Sequence, residues 1–388
     1  MHNSKNNRFQ YIVRFFSLFI LVFSSALSSI TQADVIKDLY ETRVWVASQD
    51  KKERSEALQQ AFMEILVRVS GRVDIAQSTD YPEIQTAIEM ATRYAQQYRY
   101  LKYKPNKKIK LPKDKKLILW VRFDEAAVSG LLRKNNIPVW GSTRPATLVW
   151  LVIDNRGTRE LIGNNSQHTA RATLIRQARH RGVPLRLPLL DLKDRSALRT
   201  SDVWGNFEST IMKASQRYQT EAVLVGRVFQ SYSGHWNARW SLYADSRRTD
   251  YSLSGSSIEE VLRPGIDSTA EALASRYASV GQSETSAILI QVKDIKSFSD
   301  FNRVTKYLKK LSNVNSVQPF QLAENTAIFR LTTPSGRLGV SRAVALGHTL
   351  VTEQVTTVPI PKLPGEESAE ESNTPKPIVP DLIYRLIP

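Results

Sequence analysis

The sequence predicts an α+β protein of mixed α/β character, built as three tandem small units, the second a mixed sheet with helices and the third a βαββα split sandwich. Three observations lead there. Apolar residues recur at helical spacing in some segments and as short continuous or alternating runs in others, interleaved along the chain. Segments rich in Gly, Pro and small polar residues punctuate it at 140–145 and 281–284. The 355 residues that follow an apolar leader exceed one ordinary core, at about 100–200 residues per domain.

The first unit, residues 34–138, opens with a strand-like segment from Leu39 to Ala47. A helix follows on Ala57, Leu58, Ala61, Phe62, Ile65, Leu66 and Val69, with Gly71 ending it. Pro82 suits the first turn of a second helix whose face is Ile84, Ile88, Ala91, Ala95 and Tyr98. Leu117–Phe123, apolar apart from Arg122, reads as a central strand, and Asp124 caps a third helix carrying Val128, Leu131 and Leu132. Trp140–Pro145 reads as a linker.

The second unit, 145–280, begins with a buried-strand run at Leu148–Asp154. A basic helix over Thr169–Arg181 leads through Gly182 to a strand at Leu185–Asp191. A helix around Phe207–Tyr218 precedes a hairpin of Ala222–Phe229 and Trp236–Leu242. Ser256-Ser257-Ile258-Glu259 is a capping-box pattern for a closing helix that Pro264-Gly265 should interrupt. In the third unit, 286–355, a strand at Ala287–Val292 precedes a helix bearing Phe301, Val304, Leu308 and Leu311. Short strands near Val314–Val317 and Ala327–Leu331 and a helix over Arg337–Val351 complete βαββα. Residues 358–380, rich in Pro, Glu and Ser, read as disordered, and 381–388 as a short strand returning to a sheet edge.

Residues 1–33 read as an export signal. Lys5, Arg8 and Arg14 precede an uncharged stretch from Phe15 to Ala33, and Thr31-Gln32-Ala33 offers a cleavage site before Asp34; an uncleaved inner-membrane anchor is the alternative. The chain has no cysteine, which excludes a lipidated cysteine, a disulfide framework and a thiolate metal site or nucleophile. After the leader, 51 basic residues face 37 acidic ones, a net of +14. For an exported, periplasmic chain the expected partners are an envelope protein or an anionic envelope polymer or lipid, and no nucleic acid; the oligomeric state stays open.

With Leu39-Tyr40 to Val46, Glu64-Ile65-Leu66-Val67-Arg68-Val69-Ser70-Gly71, Val139-Trp140-Gly141 to Arg144-Pro145, and Gly226-Arg227-Val228 to Gly234-His235-Trp236, the chain resembles the bacterial family called domain of unknown function 2066. That resemblance implies an exported proteobacterial protein and carries over no activity, cofactor or functional residue. More loosely, the second unit is similar to periplasmic α/β domains of outer-membrane lipoproteins, from which the missing cysteine separates it.

Lys102, Lys104, Lys107, Lys108, Lys110, Lys113, Lys115 and Lys116 stand against the single acid Asp114. They form a candidate patch for an anionic partner, with Tyr100 and Tyr103 as interfacial aromatics, or else a solvated loop. Arg171, Arg176, Arg179, His180, Arg181 and Arg186 make a second basic cluster, on and after a helix whose C-terminal dipole suits cations. Asp154 and Asp191 end two strands, as metal ligands or as turn and capping residues. Trp236 and Trp240 alternate with Ala238 and Leu242, as core or as a sugar-stacking platform. His168, His180, His235 and His348 lack metal spacing, and no phosphate loop, dinucleotide fingerprint or nucleophile elbow is present. The expectation is an envelope binding or scaffold protein with no catalytic activity and no cofactor. The alternatives are a binder of an anionic glycan or lipid, and an envelope hydrolase using His168, His235, Asp154 or Asp191.

Overall fold

The computed structural model describes residues 34–102, 117–278, 286–311, 314–333, 336–347, 349–353 and 379–387. It is a mixed α+β architecture with three principal sheets, each with its own core, along successive stretches of the chain.

In the N-terminal sheet, β2 (Glu41–Val46), β4 (Leu117–Phe123) and β3 (Ala95–Lys102) pair antiparallel in the order β2-β4-β3, with Val44 opposite Leu119. Helix α1 (Lys51–Ser70) buries Ala57, Leu58, Ala61, Phe62, Ile65, Leu66 and Val69. It ends where Gly71 turns left-handed (φ +76°) and donates its N–H to the Val67 carbonyl at 2.9 Å. Helix α3 (Glu125–Lys134) is capped by Asp124, whose carboxylate accepts from the Ala127 N–H at 2.7 Å. The predicted second helix is shorter than its pattern: α2 (Pro82–Glu89) stops before Ala91, and Ala95 and Tyr98 belong to β3. Their spacing fits a strand as well as a helix, and β4 needed a second neighbour to satisfy its backbone.

The stretch read as a linker is a buried seam. Trp140 and Arg144 are fully enclosed, and β5 (Thr143–Arg144) pairs with β1 (Asp34–Val35). Gly and Pro there shape a turn under cover, and the guanidinium finds enough carbonyls to be enclosed with it.

The central sheet runs β11 (Arg247–Gly255), β10 (Trp236–Ala244), β9 (Ala222–Gln230), β6 (Thr147–Asn155), β7 (Thr158–Ile162), with β8 (Leu185–Arg186) also on β6. β6 is parallel to β9 and β8; the other pairs are antiparallel. β6 is buried on both faces. Val149, Leu151 and Ile153 meet α4 (Thr169–Arg181) and α8 (Glu259–Tyr277), whereas Leu148, Trp150 and Val152 meet Leu198, just after α5 (Leu192–Ala197), and the helices α6 (Thr200–Trp204) and α7 (Glu208–Ser215).

The sequence reading missed β7, β11, α5 and α6, all short or polar, and overextended the strand at 185–191, of which only Leu185 and Arg186 pair. It also broke α8 at Pro264-Gly265. The helix runs through, because Gly265 is where its backbone lies on the indole of Trp240: a Cβ there would come within 2.5 Å of the ring. The pair marks close approach and not a stop.

The C-terminal sheet has the order β13 (Ser316–Ala323), β14 (Thr326–Thr333), β12 (Ser286–Lys293), β16 (Leu382–Leu386), β15 (Leu350–Thr352), with α9 (Phe298–Lys310) and α10 (Gly336–Ala345) contributing to the core. The final strand is interior, parallel to β12 and antiparallel to β15, not at an edge. Its Tyr384 and Leu386 are buried, which an edge reading of five residues could not foresee. The Pro/Glu-rich stretch lies outside the described residues apart from Val379 and Pro380.

Candidate functional site

The C-termini of α1 and α4 meet between the N-terminal and central sheets, and three buried arginines close the junction. Arg144 uses all five of its N–H donors on carbonyls. Nε donates to Gly141 at 2.8 Å, Nη1 to Arg181 at 3.0 Å and Gly182 at 2.9 Å, and Nη2 to Arg68 and Trp140 at 2.8 Å each. Its guanidinium also stacks on the Trp140 ring, 3.9 Å from the centroid.

Arg68 donates Nε to the His180 carbonyl at 3.0 Å and Nη1 to that of Glu41 at 2.7 Å. Arg181 donates Nη2 to the Gly71 carbonyl at 2.6 Å and pairs with Asp267 at 3.2 Å. Burial pushes all three guanidinium values down. Neighbouring cations add to this at Arg144, while Glu64 and Asp38 oppose it at Arg68, and Asp267 and Glu271 at Arg181. Arginine starts so high that each stays charged. The compensation is largely dipolar: the last carbonyls of two helices, the negative ends of their macrodipoles, converge on these cations.

This junction floors a cleft of about 450 Å³. Its apolar lining includes Ile36, Ile175, Val183 and Leu185, and its rim carries the exposed Arg43, Arg176 and Arg179. Three acids line it: Asp38 is exposed, and the other two are engaged. Glu41 accepts from Trp120 Nε1 at 3.1 Å and Arg122 Nη2 at 2.5 Å. Glu64 accepts from Thr42 Oγ1 at 2.6 Å and lies 3.7 Å from His180 Nε2. Burial would raise the Glu64 carboxyl, but the hydrogen bonds from His180 and Thr42 and the charges of His180 and Arg68 outweigh it and hold the group below its ordinary value. His180 Nδ1 is buried with no hydrogen-bond partner, so among the described residues no hydroxyl faces that nitrogen.

Of the basic cluster, Arg176, Arg179 and His180 line the cleft and Arg181 lies beneath it. Arg171 instead donates to the Asn164 carbonyl, and Arg186 to that of Tyr218 at 3.1 Å. Lys102 is exposed at the end of β3; Lys104, Lys107, Lys108, Lys110, Lys113, Lys115 and Lys116 lie outside the described residues.

Asp154 accepts from the Gly157 N–H at 2.7 Å and from Arg159 at 2.9 Å, and Asp191 caps α5 and pairs with Arg217 at 2.7 Å. These are turn and capping roles. His168 caps α4, accepting from the Ala170 N–H at 3.0 Å; His235 is exposed on the β9–β10 turn, and His348 lies outside the described residues. Trp240 is core and Trp236 packs half-buried against it.

Sequence reading missed Thr42, Arg43, Glu64, Arg68 and Trp120, since more than a hundred residues separate Arg68 from His180. One signal was available: Glu64 and Arg68 stand one turn apart along the margin of the apolar stripe of α1.

Residues 33–141 match the family model described as Domain of unknown function (DUF8605). This corrects the resemblance to domain of unknown function 2066: the family matched is a different one. The motifs behind that resemblance include a helix end, a buried tryptophan and a hairpin, which packing imposes on unrelated chains. No curated protein matches the sequence. The matched segment carries the α1 wall of the cleft; the α4 wall lies beyond it.

Proposed function

We propose that this chain is an exported, non-catalytic binding protein of the cell envelope, and that the α1–α4 cleft receives an acidic segment of a protein partner. The observation that carries the reading is the rim. Arg43, Arg176 and Arg179 are exposed and form no ion pair among the described residues, above a partly apolar lining in which Glu41 and Glu64 are already engaged and Asp38 is the one exposed acid. Apolar contacts with a few placed cations suit a peptide of mixed acidic and apolar side chains.

The Glu64–His180 pair is a positioning element in this reading. Among the described residues its imidazole meets a carboxylate on one side and no nucleophile on the other, so in this reading it orders the cleft wall instead of moving protons. Export rests on the order of charges, apolar stretch and small residues in 1–33.

The test is crosslinking of the tagged chain in intact cells, comparing the native protein with R43Q/R176Q/R179Q. The expected result is one defined protein adduct, weakened by salt after lysis and lost in the variant. An adduct unchanged in the variant would move the contact off the cleft. A glycan or lipid in its place would favour a binder of anionic polymer or lipid.

A further inference from the structure

A second cationic feature lies on the face of the central sheet that α5, α6 and α7 cover only in part. Arg227 on β9 and Arg239 on β10 are direct cross-strand partners, so their side chains leave the same face side by side. Like charges placed opposite one another cost stability, and neither guanidinium forms an ion pair among the described residues. Asp250, the acid whose charge acts on Arg227, accepts from Ser241 at 2.6 Å and from Arg248 at 3.0 Å. Arg248 also approaches Glu208 at 3.7 Å.

Arg227 is half-buried, and its Nε is enclosed without a hydrogen-bond partner; Arg239 is exposed, 5.9 Å from the ring of Phe229. Burial lowers the Arg227 guanidinium, and Arg239 and Arg248 lower it further, against the smaller opposing effects of Asp250 and Tyr243. Asn237, Ser252 and Ser254 border the pair on the same face. Two adjacent guanidiniums without an ion pair among the described residues, one with an enclosed N–H left unused, leave the patch with more positive charge than its acids Asp250 and Glu208 neutralise.

We propose that this face is an oxyanion site, taking a phosphoryl dianion between Arg227 and Arg239. The geometry suits the group: neighbouring planar forks offer parallel N–H donors to tetrahedral oxygens, and the serine hydroxyls and asparagine amide lie within the same patch. A soluble phosphate compound and a lipid headgroup both carry this group, and the two arms of the test separate them. The site is distinct from the α1–α4 cleft and stands or falls independently of it.

The test uses the full chain in two arms, with R239Q as the variant and R247Q, a hairpin-end arginine on the opposite face, as control. In the first arm, thermal unfolding is followed in inorganic phosphate and in chloride of equal ionic strength. Phosphate should raise the midpoint of the native chain and of R247Q above its chloride value. R239Q should start higher in chloride, with the repulsion gone, and bind phosphate about tenfold more weakly.

In the second arm, sedimentation with phosphatidylcholine vesicles, plain or doped with phosphatidic acid, identifies the source. Arg239-dependent binding to the doped vesicles assigns a lipid headgroup; a phosphate effect without vesicle binding assigns a soluble compound. The proposal is overturned if neither arm shows an effect that R239Q removes and R247Q keeps.

Discussion

Arg68 and Arg181 each hold the end of the other's helix: Arg68 of α1 donates to the His180 carbonyl of α4 at 3.0 Å, and Arg181 of α4 donates to the Gly71 carbonyl after α1 at 2.6 Å. Helix ends leave carbonyls that must find donors, and buried guanidiniums need acceptors. The exchange meets both needs and fixes the angle at which α1 and α4 enclose the cleft.

Arg144 is the residue on which this junction depends most. Lysine offers three donors in place of five and no planar face for Trp140. Arg144→Lys should therefore cost about 3–5 kcal/mol, the range for breaking a buried charged network. Urea unfolding with an unchanged slope measures it. A loss under about 1 kcal/mol would show that the carbonyls find other donors.

Gly182 closes α4 with φ +64°, and a Cβ there would come within 2.6 Å of Arg144 Nη1. Gly182→Ala should destabilise by at least about 1–2 kcal/mol from backbone strain alone. It should also disturb the indole environment of Trp140, read by near-ultraviolet circular dichroism.

Glu64 supplies a pH dependence. Its carboxyl is held below the ordinary value of 4.5 because His180, Thr42 and Arg68 outweigh burial. A depressed carboxylate contributes stability that is present above its unfolded value and is lost as pH falls through its folded one. Glu64→Gln should lower the unfolding midpoint near neutrality and flatten the loss between about pH 5 and pH 3. Parallel acid limbs in the two proteins would contradict this.

The last strand is structural. Deleting residues 381–388 removes Tyr384 and Leu386 from the core and strips β12 of its parallel neighbour. Each large buried side chain lost costs about 2–5 kcal/mol, so the C-terminal sheet should unfold while the other two sheets stay protected. Hydrogen exchange resolved along the chain reads this directly.

The sequence made the large amphipathic elements plain, because burial imposes their period: α1, α4, β4, β6 and the β9–β10 hairpin stand where the apolar pattern puts them. It misled where packing decides. Ala95 and Tyr98 fit two periods, and pairing with β4 selects one. Pro264-Gly265 looks like a break until Trp240 is seen beneath it. At the candidate site, Arg176, Arg179 and His180 were visible as a basic cluster, but Arg43, Glu64 and Arg68 reach them only through tertiary contact. Arg144 was hidden for a different reason: a charged residue between Gly and Pro reads as exposed linker, and only the carbonyls of two distant helix ends make its burial affordable.

The measurement that bears most directly on the account is site-resolved photocrosslinking in living cells, with a photoreactive residue at position 43, at 176, or at 337 on α10 outside the cleft. The cleft reading predicts the same discrete protein adduct from 43 and 176, none from 337, and its loss from position 176 when Arg43 and Arg179 become glutamine. Equal yields from all three positions, or adducts from 337 alone, would contradict it.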